Sequence, residues 1–124
     1  MKRVLIVDDS RLSRNYHSYV MRNAGFAVDT AVDGAAALEK LMLEPFDVIL
    51  TDINMRGMDG YEFIRRVRGS EQLAQPPIVI ISTESSDDDK RVGYEAGANF
   101  YLVKPAQPQQ IVESVRMITE QKQS

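Results

Sequence analysis

The sequence predicts an α/β domain: one mostly parallel β-sheet with helices over both faces. Three observations carry that prediction. Five short apolar runs, most of them rich in β-branched residues, alternate with five segments of helical character. Glycines, prolines and capping residues punctuate the boundaries between them. Polar residues stand where four of the apolar runs end: Asp8-Asp9 after VLIV, Asp52 after VILT, Ser82 after IVII and Lys104-Pro105 after YLV. In a parallel sheet those ends share one edge, the edge at which open α/β sheets bind their ligands.

The first strand is placed near residues 3–8, apolar almost throughout as a central strand should be. Ser10 supplies an N-cap for a helix near 10–23, and Gly25 follows it as a residue free to take positive φ. The run FAVDTA, near 26–31, alternates and suits an edge strand. A helix near 34–43 stops before Pro45, and another strand, apolar almost throughout, lies near 46–51. The segment N-M-R-G-M-D-G then bends the chain back into a helix near 59–69. Pro76-Pro77 precede a strand near 78–82, Gly97 closes a helix near 86–96, and the last strand lies near 99–103. In the final helix, near 108–121, Ile111, Val112, Val115, Met117 and Ile118 form a core-facing stripe. The polar tail EQKQS is expected to fray. No repeat, linker or low-complexity tract intervenes, so residues 1–124 are expected to form a single domain.

Composition narrows the function. A chain of 124 residues, 44% hydrophobic, can bury a sizeable core but leaves no room for a second catalytic domain. Fifteen basic and 18 acidic residues give a net charge of -3, which offers no general attraction to nucleic acid or anionic lipid. Zero cysteines exclude disulfides and thiolate metal sites, and one histidine excludes a multi-histidine site. The apolar stretch in MKRVLIVDDS is too short for a secretory signal or a membrane span. The expectation is a soluble cytoplasmic protein.

The polar residues of the sheet edge suggest a chemistry, each beside a plainer reading. Asp8 and Asp9 follow the first strand and suit the positive end of a helix, and Asp52 suits a turn. In a doubly wound order, however, the first and third strands are neighbours, so all three carboxylates are expected within a few ångströms of one another. A hard divalent cation such as Mg²⁺ offsets their repulsion, with the backbone carbonyl of Asn54 placed to add a ligand. Asp52 is then the natural nucleophile toward a phosphoryl group, with Lys104 neutralising its oxygens and Ser82 donating a hydroxyl hydrogen bond. Ser82 also reads as an N-cap, with Thr83, Ser85 and Ser86 as alternatives.

Read together, IVDDS at 6–10, TDINM-R-GMDGYEF at 51–63, IISTES at 80–85 and GANFYLVKP at 97–105 resemble the successive motifs of the response-regulator receiver domain, over essentially the whole chain. The resemblance implies a flavodoxin-like fold with five parallel strands in the order 2-1-3-4-5 and five helices. It implies Asp52 as phosphoacceptor, Asp9 as a direct Mg²⁺ ligand, Asp8 as a ligand through water, and Asn54 as a ligand through its carbonyl. Ser82 becomes the switching hydroxyl, Tyr101 the switching aromatic, and Lys104 the site lysine, followed by a cis bond to Pro105. Three departures stand out: Arg56 replaces a proline after Met55 and places a cation near the site mouth; Ala106 replaces an aromatic and makes the surface beside Tyr101 shallower; Ser82 replaces threonine.

The resemblance further implies that a sensor histidine kinase or phosphotransfer protein supplies the phosphate. Phosphorylation then alters the surface of helix four, strand five and helix five toward a protein target such as a flagellar switch. The DDS and IISTES segments look most like single-domain chemotaxis regulators. A phosphate sink, or a receiver excised from a longer regulator, is the nearest alternative. An aspartyl-nucleophile phosphohydrolase is the alternative of another class, but it needs an acid two residues after the nucleophile, where Asn54 stands. His17 reads as a surface or half-buried residue, and Asp87-Asp88-Asp89 as a solvated helix start that also suits a basic partner.

Overall fold

The structure, a computed structural model, describes residues 1–123, with side chains through Glu120. Five strands alternate with five helices: β1 (Arg3–Val7), α1 (Arg11–Asn23), β2 (Ala27–Ala31), α2 (Gly34–Leu43), β3 (Val48–Thr51), α3 (Gly60–Gly69), β4 (Ile78–Ser82), α4 (Asp87–Ala96), β5 (Phe100–Val103) and α5 (Pro108–Gln123). All pairings are parallel, in the order β2-β1-β3-β4-β5, as expected.

The pleat sends alternate strand residues to opposite faces, and each face buries its own core. Leu5, Val7, Ile49, Ile78 and Ile80 pack with Phe63, Ile64 and Val67 of α3 and with residues of α2 and α4. Val4, Ile6, Leu50, Val79 and Ile81 pack with Val20 and Met21 of α1 and Ile111, Val115 and Ile118 of α5. The central strands β1, β3 and β4 are therefore buried on both sides, which is why their sequences are apolar without alternation.

Capping chemistry sets the helix starts. Ser10 accepts the Ser13 N–H, Asp33 that of Ala36 and Asp59 that of Glu62. Ser86 and Asp89 form a reciprocal capping box on α4, so Ser86 rather than Ser82 is the cap there. Gly25 (φ 95°) and Gly97 (φ 122°) adopt the positive φ expected after α1 and α4.

Several local expectations change. β3 begins at Val48 rather than residue 46 because Asp47 accepts the Arg3 N–H at 2.7 Å while Phe46 lies under the Arg3 guanidinium, 4.5 Å from its carbon. β2 is an edge strand, yet Ala27–Thr30 are all half-buried, because α1 and α2 cover part of each face. In α5, Met117 is 43% exposed and leaves the stripe, since its position falls off the face carrying Ile111, Val115 and Ile118. His17 is buried at 4% exposure, drawn under α1 beside Val20 and Met21. Asp88 pairs with Arg91, which also pairs with Glu95, so part of the acidic start of α4 is neutralised within the helix. The helix continues through Gln123; of the tail expected to fray, Ser124 lies outside the described residues, as do the side chains from 121 onward. Among the described residues no helix is long and apolar enough to cross a membrane.

Candidate functional site

Register brings the site together. Val7 pairs with Thr51, so the next residues, Asp8 and Asp52, emerge side by side from β1 and β3. Ser82 pairs with Val103, so Lys104 leaves β5 just beyond it. The Lys104 ammonium lies 2.9 Å from Asp52 Oδ2 and 3.1 Å from Asp8 Oδ2, bridging the two carboxylates across the end of the sheet. The Lys104-Pro105 peptide is cis.

Asp8 is held at every polar atom. Its N–H donates to the Ala31 carbonyl at 3.1 Å, and Oδ1 accepts the Ser10 N–H at 2.9 Å. Its carbonyl accepts from Arg14 Nη1 at 2.9 Å, and the residue is 2% exposed. Asp52 is more open: Oδ1 accepts the Ile53 N–H at 2.6 Å, while Oδ2 has the Lys104 contact. Gly60, the first residue of α3, lies against the Asp52 backbone; a Cβ there would fall 2.2 Å from the Asp52 carbonyl oxygen. The loop after Asp52 thus returns to α3 over a backbone that only glycine can approach this closely.

Electrostatics follow from this packing. Burial alone would lower the pKa of the Lys104 ammonium, but the hydrogen bond and charge of Asp52, followed by those of Asp8, outweigh it and hold the group above its ordinary value. His17 is pushed the other way, first by burial and then by the Lys104 charge, against weaker pulls from Asp8 and Asp52.

The remaining expected residues are spread around this pair. Asp9 is exposed, and among the described residues no hydrogen bond or ion pair holds its carboxylate. No cluster of three or more carboxylates or imidazoles able to hold a metal stands preformed among the described residues, which corrects the expectation that all three acids converge. The reason is local: Lys104 occupies the space between Asp8 and Asp52, and Asp9 faces outward. Ser82 is wholly buried, and its Oγ accepts the Glu84 N–H at 3.1 Å. The Asn54 amide donates to Glu84 Oε1 at 3.2 Å. Tyr101 is buried, and its hydroxyl donates to the Glu84 carbonyl at 2.8 Å. Arg56 is exposed, and among the described residues no ion pair joins it to the site. Ala106 packs on the face covered by α1 and α5, away from the core that holds Tyr101. The open space it leaves is a groove of about 470 Å³ beside Tyr16, His17 and Pro105, not a hollow next to Tyr101.

Sequence reasoning missed Arg14, Glu84 and Tyr61. Arg14 braces the Asp8 carbonyl, Glu84 touches Ser82, Asn54 and Tyr101, and the Tyr61 hydroxyl donates to the Asp89 carbonyl at 3.1 Å. The DDS-x₃-R spacing places Arg14 one turn beyond Ser10, a signal that could have identified it.

The available oxygen donors suit a hard cation. Two carboxylates, Asp8 and Asp52, share one ammonium at the sheet edge, and the exposed Asp9 carboxylate stands next in the chain, an excess of anionic oxygen that a hard divalent cation suits.

The family description "Response regulator receiver domain" matches residues 4–116. The chain belongs to the response-regulator receiver family. Among relatives, the receiver is 36% identical to the chemotaxis protein CheY of Pseudomonas aeruginosa over 119 residues, covering 95% of this chain and 96% of that one. It is 40% identical over 102 residues to the gliding motility regulatory protein of Myxococcus xanthus, covering 82% of this chain but 13% of that protein. It also spans 52% of the transcriptional regulatory protein PrrA of Mycobacterium tuberculosis, at 38% identity. The solved structure of chemotaxis response regulator CheY4 of Vibrio cholerae superposes with a TM-score of 0.88 at 40% identity, covering 95% of the receiver and 98% of that chain. At family level this is a two-component signalling module with chemotaxis regulators among its relatives.

Proposed function

We propose that this receiver, acting as one unit over residues 1–124, accepts a phosphoryl group on Asp52 from a phosphohistidine of a sensor kinase or phosphotransfer protein. The observation that carries the reading is the Lys104 bridge between Asp8 and Asp52 at the end of the sheet. Asp52 Oδ2 attacks phosphorus as the bond to the imidazole nitrogen breaks and the electron pair leaves with the ring. Asp52 Oδ1 stays anchored on the Ile53 N–H, which fixes the carboxylate plane. The lysine ammonium has three donors on a flexible stem and moves from Asp52 Oδ2 to a phosphoryl oxygen. Asp9, Asp52 and the Asn54 carbonyl would hold Mg²⁺, with Asp8 acting through water. Bound there, Mg²⁺ supplies positive charge toward the phosphoryl oxygens.

Ser82 and Tyr101 are proposed as the switch. The Ser82 hydroxyl bonds the phosphoryl group while Tyr101 keeps the inward position it already holds. A hydrogen bond to a charged group is worth about 1.5–3 kcal/mol, roughly 10- to 150-fold in a population ratio. Full reversal of a 1:99 equilibrium needs about 5.5 kcal/mol. Phosphorylation therefore shifts the α4-β5-α5 surface in part, and a selective protein target completes the shift. The CheY relatives, similar over nearly their full length, support a chemotaxis output in the cytoplasm such as a flagellar switch or a phosphate sink. A phosphohydrolase lacks its second acid, since Asn54 occupies that position and donates to Glu84.

Intact-mass spectrometry after incubation with acetyl phosphate and Mg²⁺ tests the reading, with donor consumption followed in the same tubes. One added phosphoryl group, lost in Asp52→Asn and without metal, is expected. No adduct and no consumption of donor would contradict it.

A further inference from the structure

Resting on the reading of Ser82 and Tyr101 as the switch, we propose that Tyr61 of α3 is a further positioning residue, whose grip on the first turn of α4 keeps Tyr101 inward. The geometry lies in the segment from Ser82 to Asp89, which links β4 to α4. At its start the Glu84 N–H donates to Ser82 Oγ at 3.1 Å, and the Tyr101 hydroxyl donates to the Glu84 carbonyl at 2.8 Å. At its end the Tyr61 hydroxyl donates to the Asp89 carbonyl at 3.1 Å. Two phenols, one from β5 and one from α3, therefore hold the two ends of the same connection.

The turn that Tyr61 holds is also a wall of the Tyr101 pocket. Asp89 and Gly93 are one helical turn apart, and a Cβ on Gly93 would fall 3.2 and 3.3 Å from two Tyr101 ring carbons and 2.7 Å from Ile80 Cδ1. Tyr101 occupies its inward position only while α4 sits where its glycine meets the ring. Displacement of the Asp89 turn moves Gly93 with it, since both belong to one rigid helix. The Asp89 carbonyl has two lone pairs and can accept Tyr61 in addition to its helical partner. The phenols also sense one another: burial first, and then Tyr101, pushes the ionisation of Tyr61 upward.

A neutral hydrogen bond supports a population ratio of about two- to tenfold. Tyr61→Phe keeps the ring and removes only the hydroxyl, so it should lower the inward-to-outward ratio of Tyr101 by that factor. The test is fluorine NMR of the full chain labelled with 3-fluorotyrosine, which gives a signal for each of five tyrosines. The Tyr101 signal is identified by its loss in Tyr101→Phe, its exposure is read from the solvent isotope shift, and the same signal in the urea-unfolded chain gives the exposed reference. In Tyr61→Phe the Tyr101 signal should move toward that reference and gain exposure. An unchanged Tyr101 signal in a folded Tyr61→Phe protein overturns the proposal, and a lowered melting temperature with no such change would assign Tyr61 a structural role alone. The comparison is made without phosphate, so it decides the role of Tyr61 even where the acetyl phosphate experiment goes against Asp52.

Discussion

The two edges of the sheet each hold a half-buried cation, and they use it in opposite ways. At the carboxyl edge Lys104 lies between the carboxylates of Asp8 and Asp52. At the amino edge Arg68 is surrounded by neutral acceptors: Nε donates to the Gly97 carbonyl at 3.0 Å, Nη1 to the Pro76 carbonyl at 2.8 Å and to Gln75 Oε1 at 3.1 Å, and Nη2 to Asn99 Oδ1 at 2.9 Å. From α3, Arg68 spreads four hydrogen bonds over the chain leading into β4 and β5, and among the described residues no ion pair joins it to an acid. The amino edge is a staple whose polar groups satisfy one another. The carboxyl edge carries more negative charge than its lysine neutralises, which leaves it incomplete without a cation and able to rearrange when one arrives.

That contrast can be broken at backbone level first. Gly60→Ala drives a Cβ into the Asp52 carbonyl and the Ile53 Cα, at 2.2 and 2.7 Å, where no side chain can give way. The expected cost is about 4 kcal/mol in urea unfolding, together with displacement of Asp52. Lys104→Met should follow at about 3 kcal/mol, because it leaves two close carboxylates without their shared ammonium. The informative readout is metal dependence: added Mg²⁺ should restore part of that loss by binding the folded state. Arg68→Met should cost about 2 kcal/mol, since several carbonyl groups lose their donor, and the loss should be the same with and without Mg²⁺. Equal metal responses in the two variants would erase the distinction between the edges.

The smallest expected effect concerns pH. Burial, and then the Lys104 charge, holds the His17 pKa below its ordinary 6.5, so below that pH the unfolded chain binds a proton that the folded chain resists. Stability contributed by neutral His17 is complete above pH 6.5 and is lost as pH falls toward the folded value. Unfolding curves between pH 5 and 7.5 should therefore be steeper in pH for the wild type than for His17→Gln. Parallel curves would show that His17 protonates as freely in the folded chain as in the unfolded one.

The two edges also differed in how well they could be read from the sequence. Asp8, Asp52 and Lys104 were legible because each directly follows an apolar run, and the period-2 pleat with parallel register converts that position into a shared edge. Arg68 was not legible. It lies in the last turn of α3, where a basic residue needs no special explanation, and its partners come from segments up to 31 residues away. Tyr61 and Glu84 were missed for the same reason: their roles depend on contacts between elements, which no local period encodes. Asp9 was less legible: strand order places β1 beside β3, but it does not say which way the second residue past the strand end will face, and Asp9 is exposed. His17 was misplaced because one polar residue on a helix does not reveal which neighbour will cover it.

The most direct test of the contrast is a titration of the ¹⁵N-labelled chain with Mg²⁺, followed amide by amide. Saturable shifts are expected at residues 8–10, 52–60, 82–85 and 104, with residues 68, 75–77 and 97–99 unmoved. Shifts of equal size at both edges, or no saturable shift at the carboxyl edge, would contradict the claim that its uncompensated charge is a cation site.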